Sequence, residues 1–205
     1  MSTTSKHLVD LSTGIEQIVS RLSAGKSFVP LIGAGVSFDA GIPMGAGVVK
    51  LLKARFPDRL PRADYEYVEA FNEALPGPEH GLERRKFFES ICAGKTPQAQ
   101  TFLVAHLIEH GLFRVVLTTN FDHLIEQALV ACSSQPIHIY IEEDSYYPAT
   151  SIPKCPTILK IHGDFLFDNI ANLEAEMKHM LSDSMQSKLI DSTRTSDLLV
   201  MGYSG

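Results

Sequence analysis

Four short segments of this sequence place polar or glycine residues directly after apolar runs. They are Gly33-Ala34-Gly35-Val36-Ser37, Thr118-Thr119-Asn120-Phe121-Asp122, Ile161-His162-Gly163-Asp164 and Gly202-Tyr203-Ser204. If each run is a strand of one parallel sheet, all four segments lie at its carboxyl edge, where open α/β sheets bind ligands. The sequence therefore predicts one pocket on that edge, built from four separate loops.

The glycine-rich segment from Gly33 to Ser37 has the features of an anion-binding loop. It stands between a predicted strand and a predicted helix, so its backbone N–H groups and the helix dipole could hold a pyrophosphate. We expect glycine there because a Cβ would keep the phosphates away. A dehydrogenase is disfavoured, since Phe38 replaces the third glycine of the GxGxxG pattern and no second strand ends in an acid about 20 residues later. A tight turn without a ligand stays an alternative.

Two of the three other segments contain side chains that could take part in acid–base catalysis. Asn120 could reach a bound ligand, and His162 titrates near neutral pH, which suits a general base acting on a ribose hydroxyl. Two plainer alternatives stay open. Asn120 could serve only as the N-cap of the next helix, with Asp122 favoured in its first turn by the dipole. His162 could be a loop residue without a role.

Metal binding is not expected. His106-Leu107-Ile108-Glu109-His110 matches the HxxEH pattern, in which two histidines at i and i+4 can share zinc. However, the helix ends at Gly111, where the dipole favours histidine, and no third ligand is obvious. The cysteines form no CxxC pair, which argues against a zinc ribbon or a disulfide framework and favours a reducing, cytoplasmic setting (Cys92, Cys132 and Cys155).

Bulk composition excludes some partners. The chain has 205 residues, and its 24 acidic against 18 basic side chains give a net charge of -6. It lacks a cluster of Lys and Arg, so nucleic acid is not an expected partner. No apolar run approaches the roughly 18 residues of a membrane span, so no membrane contact is expected either. The length fits one domain.

The elements that would position these loops alternate. Apolar residues recur at helical spacing from Lys6 to Ala24, and helices are predicted over 44–56, 121–131, 173–181 and 184–190. Strands are predicted for Phe28 to Ile32, Phe113 to Thr118, Ile137 to Ile141, Thr157 to Ile161 and Asp197 to Gly202. Pro30 makes a centrally paired position less comfortable for the first of them. The pattern predicts a Rossmann-like, doubly wound parallel α/β sheet with a helical insertion at about 57–111.

As a set, the four motifs resemble those of the sirtuins in order and spacing: GAGVSFDAGIP from Gly33, TTNFD from Thr118, KIHGD from Lys160 and GYS from Gly202. The resemblance implies NAD as substrate and covers nearly the whole chain. It implies that the segment like Gly33, Ala34, Gly35 and Ser37 binds the pyrophosphate, and that Ala40, Gly41, Ile42 and Pro43 border the nicotinamide pocket. It places Asn120 and Asp122 at the nicotinamide ribose, makes His162 the base, and brings Gly202 and Ser204 to the adenosine. The neighbouring Thr118, Thr119, Gly163 and Tyr203 are expected to bind the cofactor as well.

Three departures separate the chain from protein deacylases. Met44-Gly45-Ala46 stands where deacylases carry Asp-Phe-Arg, Thr119 stands where they carry Gln, and three scattered cysteines cannot build their four-cysteine zinc module. The chain is more similar to the sirtuin-like domains of bacterial anti-phage defence proteins. That resemblance implies an NAD hydrolase that yields nicotinamide and ADP-ribose and assembles into a homo-oligomer. A sirtuin-type deacylase or ADP-ribosyltransferase, and a non-catalytic module that senses NAD or ADP-ribose, stay open.

The last predicted strand ends close to Gly205, whereas a doubly wound sheet would continue into a further loop and helix. We therefore expect the N-terminal part of a longer protein, with an additional C-terminal sensor domain or a partner protein.

Overall fold

The protein is built around one parallel sheet. The computed structural model describes residues 9–133, 136–140, 155–165, 170, 173 and 183–203. Its strands are β1 (Ser27–Ile32), β2 (Val115–Thr118), β3 (His138–Tyr140), β4 (Thr157–Lys160) and β5 (Ser196–Met201). They pair in parallel in the order β3-β4-β2-β1-β5. The predicted Rossmann-like α/β sheet is confirmed.

Helices connect and cover these strands. They are α1 (Leu11–Ser23), α2 (Gly45–Arg55), α3 (Tyr67–Ala74), α4 (Gly81–Cys92), α5 (Ala99–Glu109), α6 (Leu124–Cys132) and α7 (Asp183–Arg194), with 3₁₀ helices at Ala34–Ala40 and Pro78–His80. Residues 57–111, all of which the structure describes, contain helices and no strand. Of the predicted helix at 173–181, only Leu173 falls within the described residues.

Aspartate side chains accept backbone N–H groups at the start of two helices. The Asp10 carboxylate is the N-cap of α1 and accepts the backbone N–H of Thr13 at 2.9 Å, so α1 begins at Leu11 rather than at Lys6 as predicted. Asp122, the residue before the N-cap His123, accepts the N–H of Leu124 at 3.0 Å, and α6 begins at Leu124 rather than at Phe121. In both cases the apolar periodicity extended the predicted helix past this aspartate.

Pro30 lies in the strand that pairs on both sides. Strand β1 pairs with β5 along its whole length, including Pro30 with Leu199. It pairs with β2 only at Leu31 and Ile32. The proline therefore precedes the part of the strand that pairs on both sides. The predicted conflict between Pro30 and central pairing does not arise.

Apolar side chains fill both faces of the sheet. On one face, Ile18 and Leu22 of α1 pack with α5 and α6 against a core that includes Ile32, Val116 and Ile158. On the other face, Met185 and Leu189 of α7 pack against Val29, Leu117 and Leu159.

A third core unites the helices that we call the helical cap, namely α2, α3 and α4. Phe71, which is fully buried, lies within 5.8 Å of the rings of Phe87 and Phe88. Phe88 in turn contacts Phe121, with ring centroids 4.6 Å apart. Because Phe121 follows β2, the cap packs onto the carboxyl edge of the sheet.

Of the described helices, none by itself has the length and apolarity to cross a membrane, although the Ala34–Ala40 helix and α2 reach both when taken together across a 67° bend.

Candidate functional site

The four polar loops follow four adjacent strands. Strands β4, β2, β1 and β5 are consecutive in the sheet and parallel. The loops that begin at Ile161, Thr119, Gly33 and Gly202 therefore leave the sheet at one edge. The sheet brings together the segments that the sequence predicted to converge.

A buried hydrogen-bond network joins the β1 and β2 loops. Ser37 Oγ donates to Asp122 Oδ2 at 2.8 Å and lies 3.1 Å from Asn120 Nδ2, which donates to it. Asn120 Nδ2 also donates to the carbonyl of Gly33 at 3.2 Å. All three side chains are at least nine-tenths buried. The Ser37 hydroxyl thus fixes both an amide and a carboxylate.

These contacts test the N-cap hypothesis for Asn120, whereas its contact with a ligand stays a prediction. Its side chain reaches across to the β1 loop and not to the backbone of α6, whose N-cap residue is His123. The interpretation of Asn120 as the N-cap of the following helix is wrong. Asp122 serves that helix instead, through its bond to Leu124, and also accepts from Ser37.

Thr118 and Thr119 hold the β2 loop in place. The Thr118 hydroxyl donates to the Ile32 carbonyl at 3.1 Å and accepts the backbone N–H of Asn120 at 3.0 Å. The backbone N–H of Thr119 donates to the same carbonyl at 3.1 Å. The predicted ligand contact of Thr118 stays a prediction, since these bonds show it as a support for Asn120.

Glycine is required in the β1 loop, but for a different reason than the sequence suggested. The N–H of Gly33 donates to the Met201 carbonyl at 2.9 Å, and that of Gly35 to the Gly202 carbonyl at 2.8 Å. A Cβ on Gly33 would lie 2.6 Å from the Gly202 oxygen, and one on Gly35 would lie 2.8 Å from its Cα. The close approach is to the β5 loop, and these two N–H groups are already engaged by protein.

The side chains of the Ala40–Pro43 segment lie in two different environments. Ile42 is buried in the core of the helical cap, and Ala40 packs against that core. Gly41 and Pro43 instead line a cavity of about 410 Å³ between α2 and α4. Its other lining residues include the basic side chains of Arg55 and Lys95.

His162 follows β4 and is half-buried. Burial lowers the pKa of its imidazole below the ordinary value, because the cationic form loses hydration. A neutral imidazole is the form that accepts a proton. Gly163 takes a positive φ of 84° behind it, which turns the chain back from the edge.

The loop after β5 completes the edge. Gly202 has a φ of 62° and stacks against the β1 loop, where its own Cβ would lie 2.6 Å from the Val36 nitrogen. Tyr203 is exposed. Ser204 lies outside the described residues, so its predicted contact with adenosine stays a prediction.

A family model matches the part of the chain that contains three of the four motifs. Residues 114–205 match the SIR2-like domain family. This part of the chain is similar to a SIR2-like domain. No curated protein matches the chain.

Solved structures that are similar to this chain include a Sir2 homologue in complex with NAD, 25% identical over 55% of this chain and 41% of that chain, with a TM-score of 0.39. A mutant Sir2 homologue in complex with ADP-ribose is 26% identical over 55% of this chain and 42% of that chain, with a TM-score of 0.38. Sir2 bound to acetylated peptide is 25% identical over 59% of this chain and 42% of that chain, with a TM-score of 0.31. The chain spans about two fifths of the length of these structures.

The carboxyl edge of the sheet contains a charged cluster that sequence reasoning missed. Lys160 Nζ lies 2.7 Å from the Asp122 carbonyl oxygen, 3.0 Å from Glu126 Oε1 and 2.7 Å from Asp164 Oδ2. His123 Nε2 lies 2.6 Å from the same Asp164 oxygen. A lysine that ends an apolar strand, two residues before a candidate base, was the available signal.

The charge of Lys160 is maintained despite burial. Loss of hydration by itself would lower the pKa of this ammonium group. Attraction to Glu126 and Asp164, with hydrogen bonds to both, outweighs burial and raises the pKa above its ordinary value. The lysine is therefore a permanent cation at neutral pH.

The HxxEH pattern forms no metal cluster. His106 and His110 are exposed at the end of α5, with their Nε2 atoms 3.1 Å apart. Across the described part of the chain, no third His, Cys, Asp or Glu joins them in a group of possible ligands. The group that does assemble contains His123, Glu126 and Asp164. There, the Lys160 ammonium already lies within 3.0 Å of both carboxylates.

Proposed function

We propose that this protein is an NAD glycohydrolase, which cleaves the nicotinamide–ribose bond to give nicotinamide and ADP-ribose. The observation that carries the proposal is the buried Ser37–Asn120–Asp122 network at the carboxyl edge of a sirtuin-like chain. The strand next to β2 in the sheet leads to His162. Sir2 homologues similar to this chain have been solved with NAD and with ADP-ribose.

NAD would bind across the carboxyl edge, with its pyrophosphate beside the segment from Gly33 to Ser37. Asn120 would orient the nicotinamide ribose or the attacking water. The amide oxygen of Asn120 is its free end for this purpose, because the amide nitrogen donates to Gly33 and Ser37. Gly41 and Pro43 would border the nicotinamide.

The chemical step needs stabilisation of positive charge and removal of one proton. The bond between C1′ and the pyridinium nitrogen breaks, and its electron pair leaves on the nitrogen of neutral nicotinamide. The Asp122 carboxylate stabilises the oxocarbenium-like ribose that forms. A water oxygen then bonds to C1′, and neutral His162 takes the proton that this water loses. NAD and water thus give nicotinamide, ADP-ribose and one proton.

Hydrolysis is favoured over deacylation by the residues near the site. Thr119 and Met44-Gly45-Ala46 depart from the deacylase pattern, and the three cysteines are distributed over α4, α6 and the start of β4. We also propose that no divalent metal takes part, since the Lys160 ammonium neutralises the carboxylate cluster. Treatment with a chelator should then leave turnover unchanged.

The direct test is to incubate the purified protein with NAD and measure free nicotinamide, with and without an acylated peptide. We expect turnover without peptide. Asn120→Ala and His162→Ala should each abolish it, whereas the exposed controls Asn72→Ala and His110→Ala should not, with circular dichroism confirming the fold of all four. Turnover only with peptide would indicate a transferase, and binding without turnover a sensing module. Full activity of Asn120→Ala or His162→Ala would refute the mechanism.

From the resemblance alone, we propose that the protein acts in the cytoplasm as a homo-oligomer that depletes NAD in anti-phage defence. A C-terminal sensor domain or a partner protein would trigger this activity. Bacteria that express the full reading frame should lose NAD on phage infection, and the Asn120→Ala strain should retain it. Light scattering gives the oligomeric state. Equal NAD loss in both strains would refute this role.

A further inference from the structure

We propose that Lys160 is a positioning residue, whose buried ammonium group fixes the β2 loop relative to the β4 loop. These loops carry Asn120 and Asp122 on one side and His162 on the other. The effect on catalysis rests on the proposed function, whereas the effect on the loops does not.

Within the described residues, backbone hydrogen bonds join the two loops only at their start. The register of β2 and β4 ends with Thr118 opposite Lys160. One further bond follows, from the N–H of Ile161 to the Thr118 carbonyl at 2.9 Å. Beyond this point the strands separate, and the side chain of Lys160 makes the next contact, at 2.7 Å from the Asp122 carbonyl.

The ammonium group has three N–H donors, and three acceptors surround it. The acceptors come from three parts of the chain: the Asp122 carbonyl in the β2 loop, Glu126 in α6 and Asp164 in the β4 loop. The side chains of Lys160 and Asp164 are fully buried. Movement of either loop would therefore leave a buried charge without its partner, which is strongly disfavoured.

The cluster also anchors the loop that carries the candidate base. Asp164, two residues after His162, is held by Lys160 and by His123, whose ring contacts Phe165 at 4.8 Å. Asp122 is held at its carbonyl by Lys160 and at its carboxylate by Ser37 and Leu124. The Lys160 nitrogen thus holds both Asp122 and Asp164, which lie in the loops on either side of the predicted reacting bond.

A resident cation explains this cluster better than an empty metal site. His123, Glu126 and Asp164 offer ligand atoms within 4.8 Å of one another, as a metal site would. The Lys160 nitrogen lies 3.0 Å from one of these carboxylates and 2.7 Å from the other. A metal ion there would have to displace it.

The backbone of the pyrophosphate segment has anchors that Lys160 does not contact, since the N–H groups of Gly33 and Gly35 donate to the carbonyls of Met201 and Gly202 in β5 and the residue after it. Its bonds to the β2 loop are made by the Gly33 carbonyl and the Ser37 hydroxyl. Loss of Lys160 should therefore reduce kcat and leave the KM for NAD nearly unchanged. Misplacement of reacting groups by about 1 Å typically costs on the order of 100-fold in rate.

The experiment compares Lys160→Met, the double variant Lys160→Met/Glu126→Gln, and the exposed control Lys50→Met. Lys160→Met should lower both the melting temperature and kcat. The double variant leaves Asp164 paired with His123, so it should regain most of the melting temperature. Its kcat should stay on the order of 100-fold below wild type, with KM within about 3-fold. Recovery of kcat together with stability would mean that Lys160 only balances charge, and would refute the proposal.

Hydrogen–deuterium exchange separates this inference from the proposed function. In the double variant, we expect faster exchange in residues 119–123 and 161–165, whether or not NAD is cleaved. The amides of Gly33 and Gly35, which donate to the carbonyls of Met201 and Gly202, should exchange as in the wild type. If the wild-type protein did not cleave NAD, only the proposed hydrolase activity would be refuted. Unchanged exchange in both loops would refute the positioning role even in an active enzyme.

Discussion

At the scale of single residues, the decisive feature is the hydroxyl of Ser37. It accepts from the Asn120 amide and donates to the Asp122 carboxylate, so one buried group orients two candidate catalytic side chains. If the Asn120 amide rotated, its nitrogen would lose both of its acceptors, the Gly33 carbonyl and the Ser37 hydroxyl. The amide oxygen and the carboxylate are therefore preorganised before any ligand binds, which is how enzymes stabilise developing charge.

The pH dependence of turnover belongs to His162. Its pKa is lowered by burial, which penalises the cation, so the neutral base should persist below the ordinary pKa of about 6.5. We expect kcat to be flat near neutral pH and to fall on acidification, with an inflection below that value. The measurement is a pH–rate profile for NAD cleavage. An acid limb centred above the ordinary value would contradict His162 as a buried base.

At the scale of elements, the contact between the β1 and β5 loops depends on glycine. Gly33, Gly35 and Gly202 allow the two backbones to approach until a Cβ at any of them would lie 2.8 Å or less from a backbone atom. The neighbouring strands β1 and β5 are parallel, so this contact closes the edge immediately beside the predicted pyrophosphate site.

Two glycine-to-alanine changes should therefore have opposite effects. Gly35→Ala places a Cβ 2.8 Å from the Gly202 Cα, and such overpacking should cost about 1–3 kcal/mol in the free energy of unfolding. Gly14 lies inside α1, where its Cβ would meet only Val9 Cγ2 at 3.8 Å, so Gly14→Ala should stabilise by about 0.5–1 kcal/mol. Denaturant unfolding measures both. Equal effects of the two changes would contradict the close loop contact.

At the scale of the whole molecule, the helical cap and the sheet share apolar contacts. The core of the cap includes Leu124 of α6, and Phe121 packs against it from the β2 loop. Burial raises the pKa of the Cys92 thiol, at the end of α4, to about 12, and the nearby Asp122 carboxylate contributes to this shift. The cap therefore encloses the edge that holds the candidate site.

We expect cap and sheet to unfold together. Phe71→Ala should cost about 3–5 kcal/mol, because it opens a cavity at a fully buried position. At pH 8 the protonated Cys92 thiol should resist alkylation until the protein unfolds. Alkylation of Cys92, followed by mass spectrometry across a denaturant series, should therefore coincide with the loss of helical circular dichroism. Labelling of Cys92 well before that transition would indicate a cap that opens separately.

The sequence by itself determined the element types and the edge. Apolar runs bounded by glycine, alternating with helical periodicity, sufficed to predict a parallel sheet, and parallel strands place all their carboxyl ends together. The motifs that follow those strands were enough to predict Asn120, Asp122 and His162 as candidates. Two helix starts were predicted too early. In each case the apolar pattern continues before an aspartate, Asp10 or Asp122, whose side chain accepts a backbone N–H in the first turn of the helix.

Only the tertiary structure decided which groups touch. The order of the strands brings Gly202 against Gly35, puts Ser37 on an aspartate 85 residues away, and surrounds Lys160 with three acceptors. Such contacts join residues that are remote in the chain, and no local periodicity encodes them. A buried lysine is costly unless it is paired, so its position became meaningful only when its partners were located.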